Sequence, residues 1–316
     1  MIDVVCLRPE ADFTRVGVAV NPSLRVAYRS PAEADVPQLV AAARALVIPA
    51  VGPKLAPALF ENTALKLVQV TGAGVDRLDE ATLKRRGIPV ANVSGGSNAA
   101  VAEYVVASAS FLLRRFAWSD AEIRHGRYAE ARAKLLADNV RGIEGLTVGV
   151  VGMGTIGRAV AKAFEASGCR IVYHDPRPMD DKSMALDRLL GEADIVTLHV
   201  PLLPETRNLI GARELGLMKA GAVLVNAARG GVVDEKALAQ RLASGALGGA
   251  AIDVYEREPI APDNPLLALT GDAASRVLFT PHIAGVTRQS MALLFRSAWE
   301  NVERVLAGEP PRYRVY

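Results

Sequence analysis

Leu146-Thr147-Val148-Gly149-Val150-Val151-Gly152-Met153-Gly154-Thr155-Ile156-Gly157 is the stretch that decides the fold of this chain. An apolar run of strand length leads into glycines spaced G-x-G-x-x-G, and an amphipathic stretch from Ile156 to Phe164 follows. Strand, glycine turn and helix in that order make a dinucleotide site. Gly152 permits the tight turn, Gly154 lets a pyrophosphate approach the backbone, and Gly157 lets the helix pack closely on the strand. The pyrophosphate charge then rests against N–H groups at the helix N-terminus. The motif alone arises by chance in glycine-rich chains, so its surroundings matter. A second apolar run, Arg170 to His174, ends in Asp175, which lies 175 − 157 = 18 residues beyond the last glycine. A carboxylate at about that distance accepts from the adenosine ribose 2′-OH and repels a 2′-phosphate. NAD is favoured on this ground, while Arg177, two residues on, could meet a phosphate and leaves NADP open.

Working outward, strand-like and helix-like runs alternate from Leu146 onward. Val148–Val151, Ile171–His174, Ile195–Val200, Val223–Ala227, Ala250–Val254 and Val277–Thr280 read as short buried strands, with amphipathic stretches such as Glu235–Leu242 between them. Such alternation predicts a parallel sheet with helices on both faces, and six strands match a full dinucleotide-binding fold. The 145 residues before the motif must form something else, expected to hold the substrate. They alternate too: Val4–Leu7, Ala45–Ile48, Leu67–Val70 and Pro89–Val93 as strands, and Val36–Arg44, Ala56–Phe60 and Glu80–Arg86 as helices. Ser94–Asn98 reads as a hinge before a long apolar helix, Asn98 to Phe116. A last helix, Arg288–Leu306, is expected to cross back onto the first unit.

The bulk numbers exclude several classes. The chain has 316 residues, enough for two domains, and half are hydrophobic. Its formal charge is +3, with both signs interspersed, so no nucleic-acid stripe is indicated. Lys84-Arg85-Arg86 reads as a charged helix end. Cys6 and Cys169 both lie at apolar runs and read as small core residues; there is no C-x-x-C and no metal-ligand spacing. Met1 to Pro9 lacks the charged and apolar regions of a signal peptide, and no apolar run reaches the roughly 20 residues of a membrane span. A cytoplasmic protein is the expectation.

Ligands of a doubly wound sheet sit at the carboxyl ends of its strands. Asp175, His199, Arg229, Asp253, Glu258 and His282 each fall at or just past such an end. Reduction of a 2-keto acid needs a cation for the carboxylate, a proton donor for the carbonyl oxygen and a nicotinamide face. The planar fork of arginine binds a carboxylate bidentately. Histidine titrates near working pH, and a carboxylate partner fixes it and favours its protonated form. Arg229, His282 and Glu258 could fill these roles, although pattern alone does not bring them together.

Longer blocks resemble the D-isomer-specific 2-hydroxyacid dehydrogenases, in their glyoxylate/hydroxypyruvate reductase-like branch. Asn226-Ala227-Ala228-Arg229-Gly230-Gly231-Val232-Val233-Asp234-Glu235 is similar to the block with the catalytic arginine. Ala251-Ile252-Asp253-Val254-Tyr255-Glu256-Arg257-Glu258-Pro259 resembles the block whose glutamate partners the histidine, and Thr280-Pro281-His282-Ile283-Ala284-Gly285 the block with the acid/base histidine. The spacings agree as well, 258 − 229 = 29 and 282 − 258 = 24. The resemblance implies a Rossmann NAD domain, 99–285, inserted in a smaller flavodoxin-like α/β substrate domain made of 1–98 and 286–316. It implies Arg229, Glu258 and His282 as catalytic. On the cofactor side it implies Gly152, Gly154, Thr155, Ile156, Gly157, Asp175, Val200, Pro201, Thr206, Ala227, Ala228, Arg229, Asp253, His282, Ala284 and Gly285, with Asp253 accepting from the carboxamide. Gly72-Ala73-Gly74-Val75-Asp76 resembles the substrate loop, which implies that Ala73 and Gly74 N–H groups hold the substrate carboxylate opposite Arg229. Val101-Ala102-Glu103 matches a segment near the nicotinamide.

The activity implied is interconversion of a D-2-hydroxy acid and a 2-keto acid. The phosphoglycerate-oxidising branch carries an arginine in the loop that here reads Ile48-Pro49-Ala50-Val51-Gly52-Pro53-Lys54. Its absence disfavours a phosphorylated substrate and suggests a small or apolar one. The resemblance further implies a homodimer through Asn98–Arg127, and the apolar face Val101, Val105, Ala109, Leu112 and Leu113 is compatible with that. The alternative is that this face packs within its own subunit. Two other functions compete: an NAD(H)-sensing, corepressor-like interaction module on the same fold, and a methyltransferase using the glycine turn and Asp175 for S-adenosylmethionine.

Overall fold

A computed structural model describes residues 2–316; Met1, counted in the expected first segment, lies outside the described residues. The chain divides into two compact units, residues 2–97 with 286–316 and residues 98–285. Asn98 groups with the second unit because it is the first residue of a helix there.

The first unit holds β1 (Val4–Cys6), β2 (Val26–Tyr28), β3 (Ala45–Ile48), β4 (Leu67–Val70) and β5 (Val90–Ala91), all parallel, in the order β2-β1-β3-β4-β5. That is the flavodoxin-like order. Around the sheet lie α1 (Glu10–Arg15), α2 (Val36–Ala42), α3 (Glu80–Arg85) and α12 (Arg288–Leu306). β1, β3, β4 and β5 are buried on both faces, as the interior of a parallel sheet requires, while the edge strand β2 is only partly buried. Leu46, Ile48, Val68 and Val70 face one apolar cluster; Val4, Cys6, Val47 and Leu67 face the other. The second cluster is closed by α12, whose Phe295 and Trp299 rings stand 4.7 and 5.5 Å from that of Phe13. Asn301 of the same helix donates to Gln69 at 2.6 Å, so two buried polar groups satisfy each other. β2 and α1 are absent from the sequence reading, being only three and six residues long. Ala56–Phe60, expected as a helix, is a 3-10 turn over Pro57–Phe60.

The second unit opens with α4 (Asn98–Leu113), α5 (Phe116–Arg124) and α6 (Tyr128–Ala137). Its sheet holds β6 (Thr147–Val151), β7 (Arg170–His174), β8 (Ile195–Leu198), β9 (Val223–Asn226), β10 (Gly249–Ile252) and β11 (Val277–Phe279). Five further helices flank them: α7 (Thr155–Ala166), α8 (Leu186–Glu192), α9 (Ala212–Leu217), α10 (Glu235–Ala243) and α11 (Gly271–Ala274). The order is β11-β10-β9-β8-β6-β7, all parallel. Beyond β7, a lone parallel bridge from Tyr173 to Ser183 stands where a full dinucleotide fold has its third strand. The segment before α8 is too polar to extend it, and the six strands of the sheet are the six read from the sequence. The long helix from Asn98 breaks at Arg115, which takes a left-handed conformation and turns the chain into α5.

One expectation about α4 is overturned. Val101, Val105, Ala109, Leu112 and Leu113, offered as a dimer face, are all buried inside their own unit. α4 lies along α7 and over the sheet, so that stripe is core. The exposed apolar side chains sit next door, on α5 and α6: Phe116, Ile123, Tyr128 and Leu136.

Candidate active site

The sheet order reverses between β6 and β8, and the glycine turn lies at that point. A Cβ on Gly152 would come within 2.6 Å of the His199 carbonyl oxygen and 2.9 Å of the Val200 side chain. One on Gly157 would fall 2.0 Å from the Gly152 carbonyl oxygen. Both positions therefore exclude any side chain. At Gly154 an added Cβ meets nothing within 4 Å, so the turn faces open space. Helix α7 begins there with no side-chain cap, and its first N–H groups point to that space. Asp175 is anchored beside them. Its carboxylate accepts from the Met153 N–H at 2.8 Å and the Arg177 N–H at 2.9 Å. Partial burial works to raise its pKa, but these two N–H groups and the charges of Arg177 and His174 outweigh it and hold the carboxyl below its ordinary value. An ionised acceptor beside an uncapped helix and a side-chain-free turn fits an adenosine ribose and pyrophosphate. Thr206 closes the 201–206 loop on itself, accepting from Leu203 N–H at 2.8 Å and donating to Pro201 at 2.6 Å. His199, enclosed except at one edge, is pushed down to about 3 by that enclosure, and its Nε2 meets Thr197 Oγ1 at 2.9 Å. That enclosure favours its neutral form.

Arg229, Glu258 and His282 follow β9, β10 and β11, three neighbouring strands. The first loop is pressed against the second: a Cβ on Gly230 would overlap the Tyr255 carbonyl oxygen at 1.7 Å. That crossing lays Arg229 along the backbone leading to Glu258. Its guanidinium donates to Ala228 O at 2.7 Å, and its charge helps lower the Glu258 pKa. His282 Nδ1 lies 2.9 Å from Glu258 Oε2 and 3.2 Å from Oε1. Burial works to raise the Glu258 pKa. The His282 hydrogen bond and charge, the Tyr255 N–H at 3.1 Å and Arg229 overcome it, so the carboxyl stays below its ordinary value. The pair is partly open, with side chains 28 % and 30 % exposed, which leaves the imidazole reachable from solvent.

His282 sits at φ 56°, a left-handed conformation uncommon for a residue with a side chain. What holds it there is Asp253, 1 % exposed. The Asp253 carbonyl accepts from His282 N–H at 2.8 Å. Its carboxylate accepts from Thr280 Oγ1 at 2.6 Å, Ile283 N–H at 2.8 Å and Ala284 N–H at 2.9 Å. The sequence offered Asp253 as a carboxamide acceptor or a strand-end cap; in the structure it anchors the histidine turn. Two residues of this anchor, Tyr104 and Tyr255, were not singled out in the sequence. Tyr104 donates to Thr280 Oγ1 at 2.7 Å, and Tyr255 Oη donates to Ile252 O at 3.0 Å and Thr280 O at 2.9 Å. A polar tip in an apolar run was the available signal.

In the first unit, Gly72 packs so closely on Ala50 that a Cβ would stand 2.7 Å away. Among the described residues no acceptor meets the following Ala73 and Gly74 N–H groups, while the Ala73 carbonyl accepts from Asn92 at 2.7 Å. The neighbouring Ile48–Lys54 loop has no arginine of its own. Arg77 enters it from outside, buried, donating to the Pro49 and Pro53 carbonyls at 2.9 Å each. Among the described residues no metal-holding cluster occurs, and no helix is long and apolar enough to cross a membrane.

A doubly wound sheet with this turn and a histidine–glutamate pair at its carboxyl edge has the architecture of an NAD-dependent oxidoreductase. Residues 106–284 match the family model of the D-isomer specific 2-hydroxyacid dehydrogenase NAD binding domain. The glycerate dehydrogenase of Methylorubrum extorquens is 36 % identical over 259 residues, 82 % of this chain and 81 % of that one. The (S)-sulfolactate dehydrogenase of Chromohalobacter salexigens is 39 % identical over 251 residues, 77 % and 78 %. The D-lactate dehydrogenase of Aquifex aeolicus, solved with NAD and lactic acid, superposes with a TM-score of 0.82 at 26 % identity, covering 97 % of this chain and 96 % of that one. The chain belongs to the D-isomer specific 2-hydroxyacid dehydrogenases, and NAD is its cofactor.

Proposed function

We propose that this enzyme reduces a 2-keto acid to the D-2-hydroxy acid, with His282 as the acid/base, Glu258 orienting it and Arg229 binding the substrate carboxylate. The observation that carries this reading is the Glu258–His282 pair at 2.9 Å, set beside Arg229 by the close crossing at Gly230. Gly152, Gly154, Thr155, Ile156, Gly157 and Asp175 would hold the dinucleotide. When bound, NADH supplies the hydride for the 2-carbon. Glu258 accepts from Nδ1, so the other ring nitrogen, Nε2, carries the proton to the carbonyl oxygen. As that proton leaves, the ionised Glu258 keeps the ring in place for reprotonation. Ala73 and Gly74 would offer their N–H groups to the substrate carboxylate, which makes the first unit the substrate domain. The Asp175 charge supports NAD over NADP.

The test is loss of NADH absorbance with glyoxylate, hydroxypyruvate, pyruvate and phenylpyruvate, with NADPH beside it. Turnover on at least one acid, faster with NADH, is expected. Tight NADH binding with no turnover on any acid would overturn the reading. The enzyme is further proposed to be a homodimer, through the exposed apolar side chains of α5 and α6. Leu136→Glu places a charge in that patch. Light scattering should give twice the 33.5 kDa chain mass for the parent and a shift toward monomer for the variant; a monomeric parent removes the proposal.

A further inference from the structure

In the first unit the strand order reverses between β1 and β3. Open parallel sheets bind ligands outside the carboxyl ends of their strands at such a reversal. Directly after β1 a cavity of about 380 Å³ opens there, lined among others by Arg8, Asp12, Arg15, Thr287, Arg288 and Phe295. Three guanidiniums and one carboxylate give it a formal charge of 3 − 1 = +2. Asp12 is shared, 3.0 Å from Arg8 and 3.4 Å from Arg15. Arg288 begins α12, a helix of 19 residues with no acidic residue in its first turn. Among the described residues no carboxylate pairs with it. Arg8 is held in place on three sides. Its guanidinium carbon stands 4.8 Å above the Phe295 ring, Nη2 meets Asp12, and Nη1 comes within 3.5 Å of Thr71 Oγ1. Its Nε is buried with no partner, a donor waiting for an acceptor. Behind it, Arg77 has only carbonyl partners, and burial together with the Arg8 charge lowers its pKa.

We infer that this cavity takes the second acidic group of a dianionic 2-keto acid, so the substrate class carries a carboxylate, sulfonate or phosphate far from the reacting carbonyl. Guanidiniums match the geometry of such oxyanions. The link to the substrate is Thr71, which accepts from Arg8 and leads straight into Gly72–Gly74, the loop proposed to hold the first carboxylate. Without an arginine of its own, the Ile48–Lys54 loop reads as built for a small, uncharged side chain. The positive charge instead comes from β1, α1 and α12, elements distant in sequence. This inference rests on the keto-acid reductase reading.

The test compares kcat/KM with NADH for hydroxypyruvate against three dianionic acids: oxaloacetate, 3-sulfopyruvate and 3-phosphohydroxypyruvate. At least one dianionic acid should exceed hydroxypyruvate tenfold or more. Arg15→Gln and Arg288→Gln, both at exposed positions, should together cut that ratio about tenfold. Inorganic sulfate should compete with the preferred dianionic acid and far more weakly with hydroxypyruvate. A ratio untouched by the two substitutions, or sulfate acting equally on both substrates as at a free-anion effector site, overturns the inference. Should hydroxypyruvate be reduced and no dianionic acid exceed it, the inference falls and the reductase reading stands. If no acid is reduced, the reductase reading falls first and takes the inference with it.

Discussion

His282 combines a proton-transfer role with a backbone conformation that side chains seldom adopt. The turn therefore constrains which substitution can test it. Alanine at φ 56° would add backbone strain to the loss of the imidazole, whereas asparagine tolerates the left-handed region. His282→Asn should leave the fold and NADH affinity near those of the parent and lower kcat about 10³-fold, the upper part of the range for general acid–base catalysis. Stopped-flow fluorescence of bound NADH and steady-state turnover separate the two readouts; near-normal turnover would remove His282 from the mechanism. At this scale the sequence was informative about which residues matter, because each of the three stands just past a strand end. It was silent about Asp253 as the anchor of the turn. A carboxylate that accepts from Thr280, Ile283 and Ala284 looks no different in sequence from one that caps a strand. Tyr104 was invisible for the same reason: its partner Thr280 lies 176 positions away.

At the scale of elements, the strands of both sheets were legible from their apolar runs, apart from β2 and the vestigial pairing at Ser183. What ties the sheet together at its amino-terminal edge was not. Asp194, 8 % exposed, stands just before β8 and accepts from the Thr147 N–H at 3.0 Å, at the start of β6. It also meets Arg141 at 2.9 Å and Lys219 at 3.1 Å. Burial works to raise its pKa, but these partners prevail and lower it from the ordinary 3.8. A carboxyl whose folded pKa is depressed contributes stability that is fully present above its unfolded value. That contribution is lost as pH falls from about 4 through the lower folded value. Asp194→Asn leaves two half-exposed cations without their carboxylate and should cost about 1 kcal/mol at neutral pH. Urea unfolding at a series of pH values should show the parent losing this margin in acid and converging on the variant. Parallel curves at every pH would show that Asp194 is not the group responsible.

The whole molecule is two sheets, and the unit built on the first is interrupted in sequence by the unit built on the second. The chain leaves the first unit at Ser97 and re-enters it at Val286. One face of the first sheet, with Val4, Cys6 and Val47, is covered mainly by α12, beside Phe13 of α1. Residues 1–97 alone should therefore be insoluble, and joining 286–316 to them by a short flexible linker should restore a soluble, cooperatively unfolding unit. Circular dichroism and light scattering on the two fragments decide it; a soluble, folded 1–97 fragment would contradict the packing described. This return of the chain has a consequence for its synthesis. Between the last residue of the first segment and the first residue of the second, a ribosome must add 188 residues, the span from Asn98 to Gly285. At translation speeds of roughly 5–20 residues per second, that interval is about 10 to 40 s. Throughout it, the nascent N-terminal third presents an uncovered apolar face to the cytosol or to whatever guards the tunnel exit. The NAD-binding unit, by contrast, is contiguous and can be finished first, so the part of the enzyme made earliest is the last to be completed.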